Sequence, residues 1–303
     1  MYAAIDRWIT ADLGGRNTQQ LYAAASDGGS LVERAAASLL TAAEAGQPVI
    51  VATGFPIPPS GQPETDGPLG AVVVADALDA LGAEPVVVAE PAVAEPITAV
   101  ADALGSEPPE VISLTPAATA EPTATSDPTT STARALLDRE PGAVVAVEKP
   151  GRTSDGSYRT MTGTDISAAV AGVDPLIEAA RERGIPTVGV GDGGNEVGMG
   201  AVQGAVETHI DHGETIACRT AVDDLVVAGV SNWGAYGIVA ALSLQTGRDL
   251  LHSGATEREL LAAAVGAGCV DGVTGESTPS VDGIAASVHV RVVDLLAAAC
   301  TGE

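Results

Sequence analysis

The chain has 303 residues, with 14 basic side chains against 40 acidic ones and a net charge of −26. A hydrophobic fraction of 46% and a mean hydropathy of +0.24 exclude wholesale disorder. The acid excess, with one phenylalanine, two tryptophans and four tyrosines in the whole chain, excludes a phosphate-neutralising or base-stacking nucleic-acid surface.

In chain order, the first clear signal is Ser30-x-x-Glu33, a capping box opening a helix that runs to about residue 45 and stops at Gly46. An apolar run at 48–53 predicts a buried strand. A long Pro/Gly loop follows, then a helix over 69–81. Further strands are expected at 85–89, 110–114, 143–148, 186–191 and 225–229. Helices are expected near 96–104, 130–139, 174–184, 200–211, 234–246 and 284–299, with a shorter one capped at Thr256-x-x-Glu259. Apolar strands separated by helices predict a mainly parallel, doubly wound α/β sheet with helices on both faces, in one domain spanning 1–303. Segment 115–130 is rich in Pro, Thr and Ala and reads as a flexible surface loop. The apolar helix 284–299 fits either the core or a homo-oligomer contact.

The basic residues are thirteen Arg and a single Lys, Lys149. Such a balance suits a salt-rich cytoplasm, where screening shortens the range of carboxylate repulsion. A lone lysine in that setting is a candidate for a specific task. Cys218, Cys269 and Cys300 are odd in number and set in apolar sequence, which reads as buried thiols in a reducing compartment. Neither an N-terminal leader nor an uninterrupted apolar stretch of membrane-spanning length is evident, so a cytoplasmic protein without a membrane partner is expected.

Ligands of open parallel sheets bind beyond the carboxyl ends of the strands. At those ends lie Thr53-Gly54 with Glu64-Thr65-Asp66-Gly67, then Glu148-Lys149-Pro150-Gly151-Arg152, Asp192-Gly193-Gly194-Asn195-Glu196, and Ser231-Asn232. These segments nominate Thr53, Glu64, Asp66, Gly193, Gly194, Asn195, Ser231 and Asn232 for substrate binding. Asp192 and Glu196 offer hard oxygen ligands for Mg²⁺ or Mn²⁺, with Asp271 as a third, or a general base; a divalent cation is the cofactor such a donor set would take. Lys149 and Arg152, on one turn, would hold a small dicarboxylate by short contacts. His209-x-x-His212 has metal-ligand spacing but falls at a helix C-terminus, where imidazolium also complements the dipole. GxSxG, Walker and GxGxxG motifs are absent.

Taken together, GFPIPP (54–59), ETDGPLGA (64–71), EKPGR (148–152), GVGDGGNEVGMG (189–200), AGVSNWGAYG (228–237), GCVDGVT (268–274) and SVDG (280–283) resemble the D-glutamate cyclase family in order and approximate spacing. The resemblance implies a hydro-lyase acting on a dicarboxylic amino acid: D-glutamate becomes 5-oxo-D-proline and water, without nucleotide. On that reaction Glu196 or Asp192 would take the ammonium proton, and Lys149 or a divalent ion would offset the γ-carboxylate. Arg152 would grip the α-carboxylate, and Lys149 or a protonated carboxyl would supply the departing oxygen with its proton. A haloacid-dehalogenase-like phosphohydrolase is the alternative, on Thr53, Lys149 and Asp192, but no early D-x-D follows a strand. A non-catalytic binder of small carboxylates is the third reading.

Overall fold

The computed structural model describes residues 1–116 and 128–301; most of the segment expected as a flexible loop, 115–130, lies outside them. Two helices come first, α1 (Tyr2–Ile9) and α2 (Thr18–Ala25), followed by α3 (Leu31–Glu44). The Ser30 hydroxyl accepts from the Glu33 amide at the start of α3, a cap that contributes about 1 kcal/mol. Then come β1 (Pro48–Thr53), the short hairpin β2 (Pro56–Ile57) and β3 (Gln62–Pro63), α4 (Pro68–Ala80), β4 (Glu84–Ala89), α5 (Ala94–Leu104), β5 (Glu110–Ser113) and α6 (Pro128–Leu137). The second half carries β6 (Ala143–Val147), α7 (Asp174–Glu182), β7 (Thr187–Gly191), α8 (Gln203–His209), α9 (Gly213–Ile216) and β8 (Asp224–Val227). It closes with α10 (Ser231–Thr246), α11 (Gly254–Gly266), the hairpin β9 (Ser280–Val281) and β10 (Ile284–Ala285), and α12 (Ala286–Thr301).

Six strands form one parallel sheet in the order β5-β4-β1-β6-β7-β8. Counting only these strands, the order is 3-2-1-4-5-6, the doubly wound arrangement expected from the alternation of strands and helices. All six expected strands are present: five are short, largely buried apolar runs sandwiched between helical layers, and β5, at the sheet edge, is half-exposed. The order reverses between β1 and β6, and a crevice opens beyond their carboxyl ends. Among the described residues no helix is long and apolar enough to cross a membrane.

Three details differ from expectation. The helix expected at 200–211 breaks into a 3₁₀ turn (Gly200–Val202) and α8, since two glycines in five residues weaken its start. Helix α11 begins one turn earlier than expected: Ser253 caps it by accepting from the Thr256 amide. Helix α10 starts at Ser231, three residues before the expected boundary, and that extra turn reaches the crevice. From Ser231 to Ser243 it is buried all round, so its sequence shows no polar face. Gly70 of α4 permits the close approach: a Cβ there would lie 2.7 Å from Ala235 Cβ.

Candidate active site

Beyond β1, β6 and β7 lies a cavity of about 350 Å³ lined by Arg16, Phe55, Glu64, Glu148, Met161, Asp192, Asn195, Val273 and Asp282, among others. Asp66 and Glu196 sit in the same acidic cluster. Glu64, Asp66, Glu148, Asp192 and Glu196 are all buried, and the Asp282 side chain is only 6% exposed. Six carboxyl groups thus share this crevice with one guanidinium, that of Arg16, the only Lys or Arg among the described residues lining the cavity.

Most of these carboxylates are placed by identifiable local structure. Asp66 accepts from the amides of Ser231 (2.8 Å), Asn232 (2.7 Å) and Gly67 (3.0 Å), capping α10, whose positive end favours an anion. Asn232 ties this loop down: its side chain accepts from the Gly67 and Gly70 amides and donates to Thr65 O. Glu148 follows β6 with φ of +44°, a conformation costly for a side-chain-bearing residue, and accepts from the Ser231 hydroxyl at 2.5 Å. After β7 the chain turns back so that the amides of Gly193 and Gly194 donate to the two oxygens of Glu196, at 2.8 and 2.7 Å. Asp282, φ +56°, sits at the tip of the β9–β10 hairpin. Arg16 bridges the cluster, Nη1 lying 2.5 Å from Asp192 Oδ2 and Nη2 lying 2.9 Å from Asp282 Oδ1. The Arg16 amide is itself fixed by Asp12 Oδ1.

Burial dominates the electrostatics. It pushes Asp66 up to about 8, with Asp282 adding to the rise. Glu64, Glu148 and Asp192 are also raised well above the carboxylate range, first by burial; like-charged neighbours add to the rise, and for Asp192 the nearby Arg16 opposes it without cancelling it. Burial opposes the charge of Arg16, but Asp192, Asp282 and Glu148 more than compensate, so its pKa rises. Glu64, Asp66, Glu148 and Asp192 therefore keep their protons to higher pH than exposed carboxyls do. Since the unfolded chain releases these protons near pH ~4, the native state binds more protons between about pH 4 and 8, and its stability should fall as pH rises through that window. Urea unfolding at about pH 5.5, 7 and 8.5 measures the slope; millimolar Mg²⁺ or Mn²⁺ should flatten it. Stability that climbed with pH would show the carboxylates already ionised and paired.

The donors suit a hard cation. Ligand oxygens of Asp66, Asp192 and Asp282 lie within 4.8 Å of one another, as do those of Glu148, Asp192 and Glu196, with Asp192 common to both groups. Asn195 donates to Arg159 O at 2.8 Å, while its Oδ1, buried, has no protein partner. A Cβ on Gly193 would reach within 3.0 Å of Glu196 Oε1, 3.1 Å of Asn195 Oδ1 and 2.3 Å of Met161 Sδ, so glycine keeps this cradle open.

The structure thus brings together Glu64, Asp66, Asp192, Asn195 and Glu196, with Gly193, Gly194, Ser231 and Asn232 behind them as amide and hydroxyl donors. Thr53 lies fully buried near Gly67, its hydroxyl without a protein partner. Three expected residues stand elsewhere. The Lys149 backbone is next to the Glu196 turn, but its fully buried ammonium lies against both oxygens of Glu90 (2.5 and 2.6 Å) and Gly54 O, and does not line the cavity. Arg152 turns outward to Glu178 (2.8 Å) and Asp174 (3.7 Å). Asp271 accepts from the Val273, Thr274 and Gly283 amides and the Ser280 hydroxyl; burial works to raise its pKa, but these bonds lower it overall. It closes a loop and is absent from both acidic groups. His209 and His212 are exposed and also stand outside them. Arg16 carries no motif in the sequence, and Asp282 was visible only within SVDG.

A family profile described as "D-glutamate cyclase-like, C-terminal" matches residues 5–297. A relative named D-glutamate cyclase, mitochondrial, from Homo sapiens, is 37% identical over 230 residues. That alignment takes in 72% of this chain and 35% of the relative, so the chain corresponds to about a third of the longer protein.

Proposed function

This chain belongs to the D-glutamate cyclase-like family, and from that premise we propose that it closes D-glutamate into 5-oxo-D-proline with release of water. The observation that carries the reading is the gathering of six carboxyl groups in one crevice, two of them paired to the half-buried Arg16, around a cavity sized for a small amino acid. Closure moves two protons from the α-ammonium nitrogen to the departing γ-oxygen, with a C–N bond forming and a C–O bond breaking. No proton is exchanged with solvent overall. Such a reaction needs one group that takes a proton and another that gives one within the same dry site. Glu196, its two oxygens held by the Gly193 and Gly194 amides, is the proposed acceptor, and a carboxyl kept protonated by burial, Asp66 or Glu148, is the proposed donor.

Arg16 is the proposed anchor for a substrate carboxylate, in place of Arg152 and Lys149. Asn195 Oδ1, the unpartnered acceptor, suits an ammonium N–H. The α-amine must meet the γ-carbon, so much of the rate enhancement comes from holding the five-carbon chain folded. A divalent cation would be held by Asp192 with Glu148 and Glu196, or with Asp66 and Asp282, and would polarise the γ-carboxylate as a Lewis acid. The protein incubated with D- or L-glutamate, with and without Mn²⁺ or Mg²⁺, should form pyrrolidone from the D enantiomer in ¹H NMR spectra. Absence of product from both enantiomers under all these conditions would refute the assignment.

A further inference from the structure

Behind the acidic cluster the structure contains a buried strut that the chemistry above does not use. The Trp233 indole N–H, on the first turn of α10, donates to His289 Nδ1 at 2.9 Å; the rings stand 5.4 Å apart between centroids. An indole nitrogen can only donate, so Nδ1 carries no proton and the hydrogen resides on Nε2. That N–H faces the carbonyl of Ile284 at 3.1 Å, two residues beyond Asp282. His289 is fully buried in α12. Each end of the strut is tied to the site: the Ser231 and Asn232 amides beside Trp233 hold Asp66, and the Ser231 hydroxyl holds Glu148. The hairpin at the other end presents Asp282 to Arg16. The tip backbone at Asp282 has φ +56° and would relax if its supports were removed.

We propose that His289, as the neutral Nε2–H tautomer, is a positioning residue that sets the spacing between Asp66 and Asp282 by bracing α10 against the β9–β10 hairpin. The inference builds on the cyclase reading only for its kinetic readout. Its electrostatics agree with the geometry. Burial lowers the His289 pKa, and the carboxylates that face it, Glu257 on α11, Asp282 on the hairpin and Asp271 on the preceding loop, do not offset that. A second proton would have to go on Nδ1, which would set two N–H groups against each other and eject the indole.

Two substitutions separate bracing from simple packing. Gln can accept from Trp233 through its carbonyl and donate to Ile284 O through its amide, whereas Leu keeps volume and loses both bonds. In H289L, hydrogen exchange of peptides covering 278–286 should accelerate at least tenfold relative to wild type. In H289Q it should stay within about threefold. The ¹⁵N spectrum of the wild-type imidazole should report Nε2–H across neutral pH. On D-glutamate, H289L should lose most of kcat with less change in KM, and H289Q should restore it. Unchanged exchange in H289L, equal acceleration in both variants, or an Nδ1–H tautomer would each overturn the proposal. If D-glutamate is not turned over at all, the cyclase reading fails, while the exchange and tautomer measurements still decide whether His289 braces the hairpin.

Discussion

Replacing Lys149 with Met is expected to destabilise the fold by about 3–5 kcal/mol, the range for breaking a buried ion pair by removing one partner. Lys149 is fully enclosed, and its ammonium is the counter-ion of Glu90, itself 6% exposed. Glu90 Oε1 also accepts from the Ala171 amide, and Lys149 reaches Gly54 O. The pair thus fastens the loops that follow β1, β4 and β6 to the segment before α7. With Met at 149 the carboxylate must be protonated or solvated inside the protein, and both are costly. Urea denaturation at pH 7 measures the loss. The double variant K149M/E90Q should recover a large share, because the neutral amide still accepts from Ala171 and no charge is left alone. Native protein should also resist amine-reactive labelling at Lys149 until denaturant is added. A K149M protein of wild-type stability that had lost all activity would return Lys149 to the chemistry.

Arg16→Gln carries the second large effect: a fall of about 10²–10³-fold in kcat/KM for D-glutamate, the magnitude that follows loss of one preorganised charged donor. Arg16 spans two carboxylates that belong to different elements, Asp192 after β7 and Asp282 on the hairpin. Its removal takes away the proposed anchor for the substrate and the tie that holds Asp192 and Asp282 together. Arg16→Lys should recover only part, since a point ammonium cannot bridge both carboxylates as the planar fork does. Steady-state kinetics of the three proteins, with unfolding curves as control, decide the matter. Wild-type kcat/KM in Arg16→Gln would remove Arg16 from substrate binding.

The sheet and the position of the crevice were legible in the amino-acid order alone. Short apolar runs separated by helical patterns predict a parallel sheet covered on both faces, even though the edge strand β5 stays half-exposed, and the polar glycine-rich segments fall where such a sheet leaves its carboxyl ends open. Asp192, Asn195 and Glu196 were legible for that reason, since local glycines allow a carboxylate to be held by its own loop amides. Side-chain direction was not legible. Lys149 and Arg152 are two positions either side of a turn, and whether each points into the cavity, into the core or to solvent depends on partners far away in sequence, Glu90 and Glu178. Arg16 left no local signal because its significance comes wholly from Asp192 and Asp282, 176 and 266 residues distant. Periodicity reports which face of an element is buried; only tertiary packing decides which charge meets which, because Coulomb interactions depend on distance in space.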